Sequence, residues 1–169
     1  MNKKANIPDI LFLCVIFFSI VIGSLATFKA FDDVAGGLNT TESGLTNNSI
    51  QRIEHWRLRM PKIIDDILVV TFFGAFLAIA VSAFLIRSNF VFFFTAVIVV
   101  AVFAFIVAVL SNAYESYVTS NVDLQAYVTN NFRLTNHIMN NWVIYVVIMS
   151  FIVLVALYAK LSNNPGDGV

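Results

Sequence analysis

The side chains that most often perform catalysis or bind metals are few in this sequence: two histidines, His55 and His137, and one cysteine, Cys14. The two histidines fall in separate polar segments without a second His or Cys at ligand spacing, so a metal site would need the fold to unite them with Glu54 or Asp123. No Gly-rich phosphate loop and no GxSxG motif is present. The sequence therefore predicts no catalytic residue, no metal site, no cofactor and no enzymatic activity.

A basic cluster around one tryptophan is the strongest candidate for binding. Its members are Arg52, Trp56, Arg57, Arg59 and Lys62. Basic residues around an aromatic ring, next to an apolar segment, can hold lipid headgroups or an anionic partner. The alternative interpretation is an amphipathic helix whose charges simply lie in water.

Small residues form a second pattern, with three stripes at helical spacing. They are Ser19, Gly23 and Thr27; Gly74, Ala78 and Ser82; and Ala101, Ala104 and Ala108. In lipid, small side chains allow two helix backbones to approach closely. Two interpretations stay open: the stripes pack the helices of one chain together, or they form contacts between subunits of a homo-oligomer.

Composition defines the setting of these residues. Of the 169 residues, 59% are hydrophobic and 12% are charged, against about a quarter charged in an ordinary soluble domain. The mean hydropathy is +0.85. A soluble fold of this size would have to expose much of this apolar surface to water, which soluble proteins avoid. The formal net charge is zero, which argues against nucleic acid as a partner.

Four apolar segments are long enough to cross a bilayer, which takes about 20 residues. They are residues 10–28, 67–86, 90–110 and 142–159. None contains a charged residue, which argues against proton relays, carboxylate-coupled transport and voltage sensing. We therefore predict a single domain over residues 1–169. Its fold is an all-α membrane protein, a bundle of four transmembrane helices with amphipathic helical extensions on the non-cytoplasmic side.

The orientation of the spans follows from the positive-inside rule. With an inner amino terminus, the short inner segments carry an excess of positive charge and the outer loops, residues 29–66 and 111–141, an excess of negative charge. We expect both termini in the cytoplasm and a bacterial inner membrane. The first span is expected to remain attached, because its apolar run is long for a cleavable signal peptide.

The first outer loop divides into two parts. Residues 29–48 are rich in Gly, Asn, Thr and Ser and predict an irregular turn. From Ser49, a predicted N-cap, apolar residues recur at helical spacing, and Pro61 is expected to kink this helix before the second span. At the membrane edge, the pair Asp65 and Asp66 is expected to form an ion pair with Arg57 or Arg59, or to set the point where the helix enters the bilayer.

The second outer loop continues the third span. The phase of that span extends through Tyr114, Tyr117 and Val118. Asn121 is expected to cap a short helix that ends at Phe132. Thr135 is expected to cap the approach to the fourth span.

Claudins, tetraspanins and gap-junction proteins share this loop order, but they depend on outer-loop cysteines, which this chain lacks. In size and layout it is similar to membrane components of some bacterial phage-defence operons and to some phage envelope proteins. We expect a non-catalytic multi-pass membrane protein that forms a homo-oligomeric scaffold, sensor or pore. Its expected partners are membrane lipids and other copies of itself. The alternative is an accessory subunit or anchor for another protein, such as an antiviral-defence component that recruits a soluble effector, or a phage membrane protein. A lipid-acting enzyme has no motif in support.

Overall fold

The computed structural model describes residues 7–38, 44–85 and 90–163, with side chains described for 14–38, 44–81, 90–91 and 93–159. These residues form six helices and no strand. The helices are α1 (Ile7–Leu38), α2 (Asn47–Leu85), α3 (Phe90–Thr119), α4 (Val122–Asn131), α5 (Arg133–Asn140) and α6 (Trp142–Asn163). Only residues 87–89 separate the second and third apolar segments of the sequence, which predicts a tight turn between them. This turn and the terminal segments lie outside the described residues.

Four of the helices are long and apolar enough to cross a membrane. The qualifying stretches are Cys14–Leu38, Asn47–Val81, Phe93–Thr119 and Trp142–Ala159. The predicted all-helical class and the four apolar helices are thus confirmed, and they indicate a membrane protein. The helices also exceed the predicted spans: α2 has 39 residues, about 58 Å at 1.5 Å per residue, against a hydrocarbon layer of about 30 Å.

The prediction of an irregular turn after residue 28 is wrong, because α1 stays helical through Leu38. Two interactions stabilise this stretch. Lys29 forms an ion pair with Asp33 one turn later, a favourable spacing in helices. Asp32 is bonded to Arg57 on α2, and this partner in a distant part of the sequence is what the local composition did not reveal.

The second helix begins earlier than predicted. Its N-terminal cap is Thr46, whose hydroxyl accepts a hydrogen bond from the Ser49 amide at 3.4 Å, so Ser49 is not the N-cap. The helix continues through Pro61, whose ring is fully buried. Proline inside a helix removes one backbone hydrogen bond, and burial of the ring compensates part of this loss.

The segment between α3 and α6 contains two short helices. Asn121 caps α4 by accepting bonds from the amides of Asp123 at 2.8 Å and Leu124 at 3.3 Å, which confirms the predicted cap. The expectation for Thr135 is wrong. It lies inside α5, its side-chain oxygen is buried without a hydrogen-bond partner, and its amide is bonded to α2.

Large aromatic side chains fill the space between the long helices. Phe72 of α2 lies 5.5 Å from Phe17 of α1 and 6.5 Å from Trp142 of α6, measured between ring centroids. Trp142 is 1% exposed and Val107 of α3 is fully buried in the same cluster. α6 packs against α2 and α3, and α1 packs against α2 and α3.

Candidate functional site

Asp65 joins α2 to α5. One oxygen of its carboxylate accepts a hydrogen bond from the Thr135 amide at 2.7 Å, and the other accepts one from the Leu134 amide at 3.0 Å. These amides lie in the first turn of α5, where helix N–H groups lack a partner within the helix. Phe132, which precedes α5, provides no side-chain cap. Asp65 therefore caps a helix distant in sequence. The ion pair with Arg57 or Arg59, one of the two roles predicted for it, is not found among the described residues.

Two further hydrogen bonds fix α5 and the end of α3 together. The buried Ser111 hydroxyl donates to the Met139 carbonyl at 2.7 Å. The Tyr114 hydroxyl donates to the Asn136 side chain at 3.0 Å, and Tyr114 is fully buried. Because buried polar groups are costly without partners, these bonds favour one position of α5 between α2 and α3.

Arg57, a member of the predicted basic cluster, forms two ion pairs within the chain. It donates to Asp32 of α1 at 2.7 Å and to Glu54 of its own helix at 3.2 Å. Its side chain is 27% exposed, so this ion pair lies partly out of water. Arg57 therefore connects α1 to α2.

The other members of the cluster face outward. Arg52, Arg59 and Lys62 are exposed, and Trp56 is 53% exposed. Arg52, Trp56 and Arg59 recur at spacings of four and three residues, which places them on one face of α2. No hydrogen bond or ion pair to these side chains is found within residues 7–38, 44–85 and 90–163.

The small-residue stripes of α1 and α2 also face outward. Ser19, Gly23 and Thr27 are exposed, and so are Gly74 and Ala78. A Cβ atom placed at Gly23 or at Gly74 would meet no atom within 4 Å, so neither glycine allows a close approach within one chain.

The remaining small residues behave differently or lie outside the described side chains. On α3, Ala101 is exposed, whereas Ala104 and Ala108 are partly buried. Ser82 belongs to α2 by its backbone, but its side chain lies outside the described residues. The three stripes therefore do not converge on one common interface within the chain.

An apolar strip continues the α1 stripe toward the C-terminal end of the helix. Phe31, Val34 and Leu38 follow Gly23 and Thr27 at spacings of three or four residues, on the same face. They are 40%, 62% and 40% exposed. The sequence prediction missed this strip because it treated residues 29–48 as irregular, although the helical spacing of these three residues was a signal for a continued helix.

Tyr127 of α4 contacts the C-terminal half of α1. Its hydroxyl donates to the Phe28 carbonyl at 3.1 Å, and the Lys29 ammonium lies 5.7 Å from the centre of its ring. Burial, with the negative charge of Asp32, raises the pKa of Tyr127 to about 12. The hydroxyl therefore stays protonated and able to donate at any physiological pH.

The two histidines are not brought together with acids or sulfur. His55 and His137 are both exposed, on α2 and α5, and the His137 ring contacts Tyr145, 6.4 Å between centroids. Within the described part of the chain, no three His, Cys, Asp or Glu side chains are placed to hold a metal ion.

Comparison with known proteins adds no relative to this description. No protein-family model, no curated protein and no solved structure matches the chain.

Proposed function

We propose that the protein is a non-catalytic, multi-pass membrane protein that associates with copies of itself along the outward face of α1, as a scaffold or sensor with a helical surface outside the bilayer. In this arrangement the four spans form a bundle, and the outer ends of α1, α2 and α3 with α4 and α5 form the extension. Both termini are cytoplasmic, and the membrane is a bacterial inner membrane.

The main support for self-association is the exposed apolar strip formed by Phe31, Val34 and Leu38. α1 has 32 residues, about 48 Å of helix against about 30 Å of hydrocarbon. The charged residues Lys29 and Asp33, which form an ion pair beside the strip, are expected outside the hydrocarbon. The strip therefore exposes large apolar side chains to water, which is unfavourable unless another surface covers them.

The small-residue stripe on the same face of α1 makes a second copy of the chain the best partner for the apolar strip. Ser19, Gly23 and Thr27 are exposed on the same face of α1, and small residues let two membrane helices approach closely. One helix face thus offers close packing in lipid and an apolar contact above it. A symmetric pair of α1 helices would use both parts at once.

A pore could then form only between copies. The space between α1, α2 and α6 within one chain is occupied by Phe17, Phe72 and Trp142. A conducting path between subunits would be lined by Ser, Thr, Gly and apolar residues, and would open and close by dewetting.

Cysteine cross-linking in native membranes tests self-association. In a Cys14→Ala background, Val34→Cys is expected to form a disulfide-linked dimer on mild oxidation, because the two copies of this face lie against each other. Val122→Cys is the matched control, since Val122 is also an exposed outer valine, at 78%, but lies on α4. Equal cross-linking of the two variants, or none at Val34→Cys, would contradict the proposal.

A second function is favoured by the exposed face of Arg52, Trp56 and Arg59. All three side chains are exposed, so they are accessible to an anionic lipid or another protein. On this proposal the chain is an accessory subunit or membrane anchor. Native mass spectrometry of protein extracted from its own membranes separates the two: a homo-oligomer supports self-association, and a stoichiometric second protein supports the subunit.

A further inference from the structure

We propose that a polar cleft between α1 and the α3–α4 junction binds the primary-ammonium, phosphodiester headgroup of a membrane lipid, of the ethanolamine class. The cleft borders the α1 face assigned to self-association, because its lining residues Ala26 and Ala30 lie three or four residues from Gly23, Thr27 and Val34. Its charged lining residues are Lys29 and Asp33 of α1 and Asp123 of α4.

The size and the walls of the cleft suit a headgroup. Its volume is about 470 Å³. The methyl groups of Ala26 and Ala30 form one wall, and both residues are exposed. Because no bulky side chain stands on that wall, the cleft is open along α1.

The depth of the cleft also suits a headgroup. Ala26 lies within the apolar run of α1, and Asp33 lies seven residues later, about 10 Å further along the helix axis. The headgroup layer extends about 5–8 Å beyond the hydrocarbon on each side. The cleft therefore begins at the hydrocarbon edge and covers the layer where lipid phosphates and amines lie.

The charges favour a ligand that carries an ammonium group. Two carboxylates, Asp33 and Asp123, face one ammonium, that of Lys29. Asp33 is bonded to Lys29, whereas Asp123 is exposed and has no ion pair among the described residues. A primary ammonium has three donors and can bond both carboxylates, whereas a quaternary ammonium has none and prefers a cage of aromatic rings.

Donors for a phosphate line the same cleft. The Lys29 ammonium is held in position by Asp33 and lies 5.7 Å from the centre of the Tyr127 ring. The side-chain oxygen of Asn121 is used to cap α4, which leaves its amide nitrogen to donate. The Tyr117 hydroxyl is a third donor in the lining. One cation and two neutral donors match a singly charged phosphodiester.

Lipid titration followed by native mass spectrometry tests this assignment on the full-length protein in detergent. Phosphatidylethanolamine, phosphatidylcholine and phosphatidylglycerol with identical acyl chains are added in turn. We expect the ethanolamine lipid to bind about tenfold more tightly than the choline lipid, the difference expected for charge-assisted hydrogen bonds that choline does not make. Equal binding of these two lipids, or preference for the glycerol lipid, would overturn the proposal.

The variant Asp123→Asn locates the site. It is expected to abolish the preference for ethanolamine over choline, whereas Asp66→Asn, an equal charge change at an exposed position outside the cleft, preserves it. Retention of the preference in Asp123→Asn excludes this cleft. Since Asp123 is exposed, thermal unfolding of the variant is expected to match the wild type, and a large shift would mean that Asp123 is structural instead.

Soluble phosphoethanolamine distinguishes a lipid headgroup from a free solute as the ligand of the cleft. If a lipid is the ligand, free phosphoethanolamine displaces it only at a large molar excess, because the acyl chains contribute to the affinity. Displacement at a concentration equal to that of the lipid would assign the cleft to a free solute and overturn the lipid assignment. The same spectra give the mass of the assembly, so lipid binding is read separately for the monomer and for any oligomer, and failure of one proposal is distinguished from failure of the other.

Discussion

Asp65 lies 2.7 Å from the amide nitrogen of Thr135, a residue 70 positions later in the chain, and caps the helix to which that residue belongs. This contact links the middle of α2 to α5, the segment that leads into α6. A buried carboxylate beside unpaired helix amides satisfies both groups at once.

The cap predicts a loss of stability when Asp65 is replaced. Asp65→Ala removes the acceptor for two amides, and is expected to lower the free energy of unfolding by about 1–3 kcal/mol. Asp65→Asn retains one acceptor oxygen and should lose less. Thermal unfolding in detergent, followed by circular dichroism, measures both. The neighbouring Asp66 is exposed, so Asp66→Asn should unfold like the wild type, and an Asp65→Ala protein of unchanged stability would disprove the role of the cap.

The ion pair between Arg57 and Asp32 is expected to hold the outer end of α1 against α2. Arg57→Gln and Asp32→Asn should each increase amide hydrogen exchange over residues 29–38, and the double variant should add little to either. Since both side chains are partly exposed, solvent screening limits the coupling to about 0.5–1 kcal/mol. Arg59→Gln is the control, because Arg59 is exposed. Additive effects in the double variant would show that the two residues act separately.

Anionic lipid binding should depend on the exposed part of the basic cluster. Neutralising Arg52, Arg59 and Lys62 to Gln should reduce the phosphatidylglycerol retained after purification, by about 1 kcal/mol of affinity per charge. The binding should also weaken as salt is added. Arg133→Gln changes an exposed charge on α5 and should have no such effect. Unchanged retention in the triple variant would leave this face to a protein partner.

The outward glycines predict separate effects on folding and on association. Because a Cβ at Gly23 meets no atom within 4 Å, Gly23→Leu should leave the thermal unfolding of the monomer unchanged. It should reduce the dimer fraction measured by light scattering in mild detergent, since the larger side chain separates the paired helices. Gly23→Ala is the conservative control. A destabilised monomer would mean that the stripe packs within the chain.

The raised pKa of Tyr127 predicts a loss of stability in alkali. The ordinary pKa is 10.0 and the folded-state pKa is about 12, so the folded protein holds this proton more tightly than the unfolded chain does. Its contribution is therefore complete below pH 10 and is lost as the pH rises from 10 to 12. Tyr127→Phe should lose about 1 kcal/mol at neutral pH, through the bond to Phe28, and should show a shallower decline above pH 10. Identical slopes would exclude Tyr127 as a source of the decline.

Several features of this protein follow from the sequence alone. Long apolar segments without charges require a lipid environment, because nothing else covers so much apolar surface, and a single span must satisfy its backbone groups as a helix. The Asn121 cap was also predictable, since a cap bonds amides two and three residues away. The expectations that the structure confirms thus depend on composition or on residues close together in the sequence.

The tertiary structure decided which polar groups face each other. Asp65 was expected to pair with an arginine nearby in sequence, but it caps α5, and Arg57 pairs with Asp32, 25 residues away. The same contact explains why α1 continues to Leu38 through residues that resemble a loop. Periodicity places a residue on a helix face, but it does not say which face meets another helix. That choice depends on how the aromatic side chains of the apolar helices pack together. In this chain it leaves Ser19, Gly23 and Thr27 of α1, and Gly74 and Ala78 of α2, exposed.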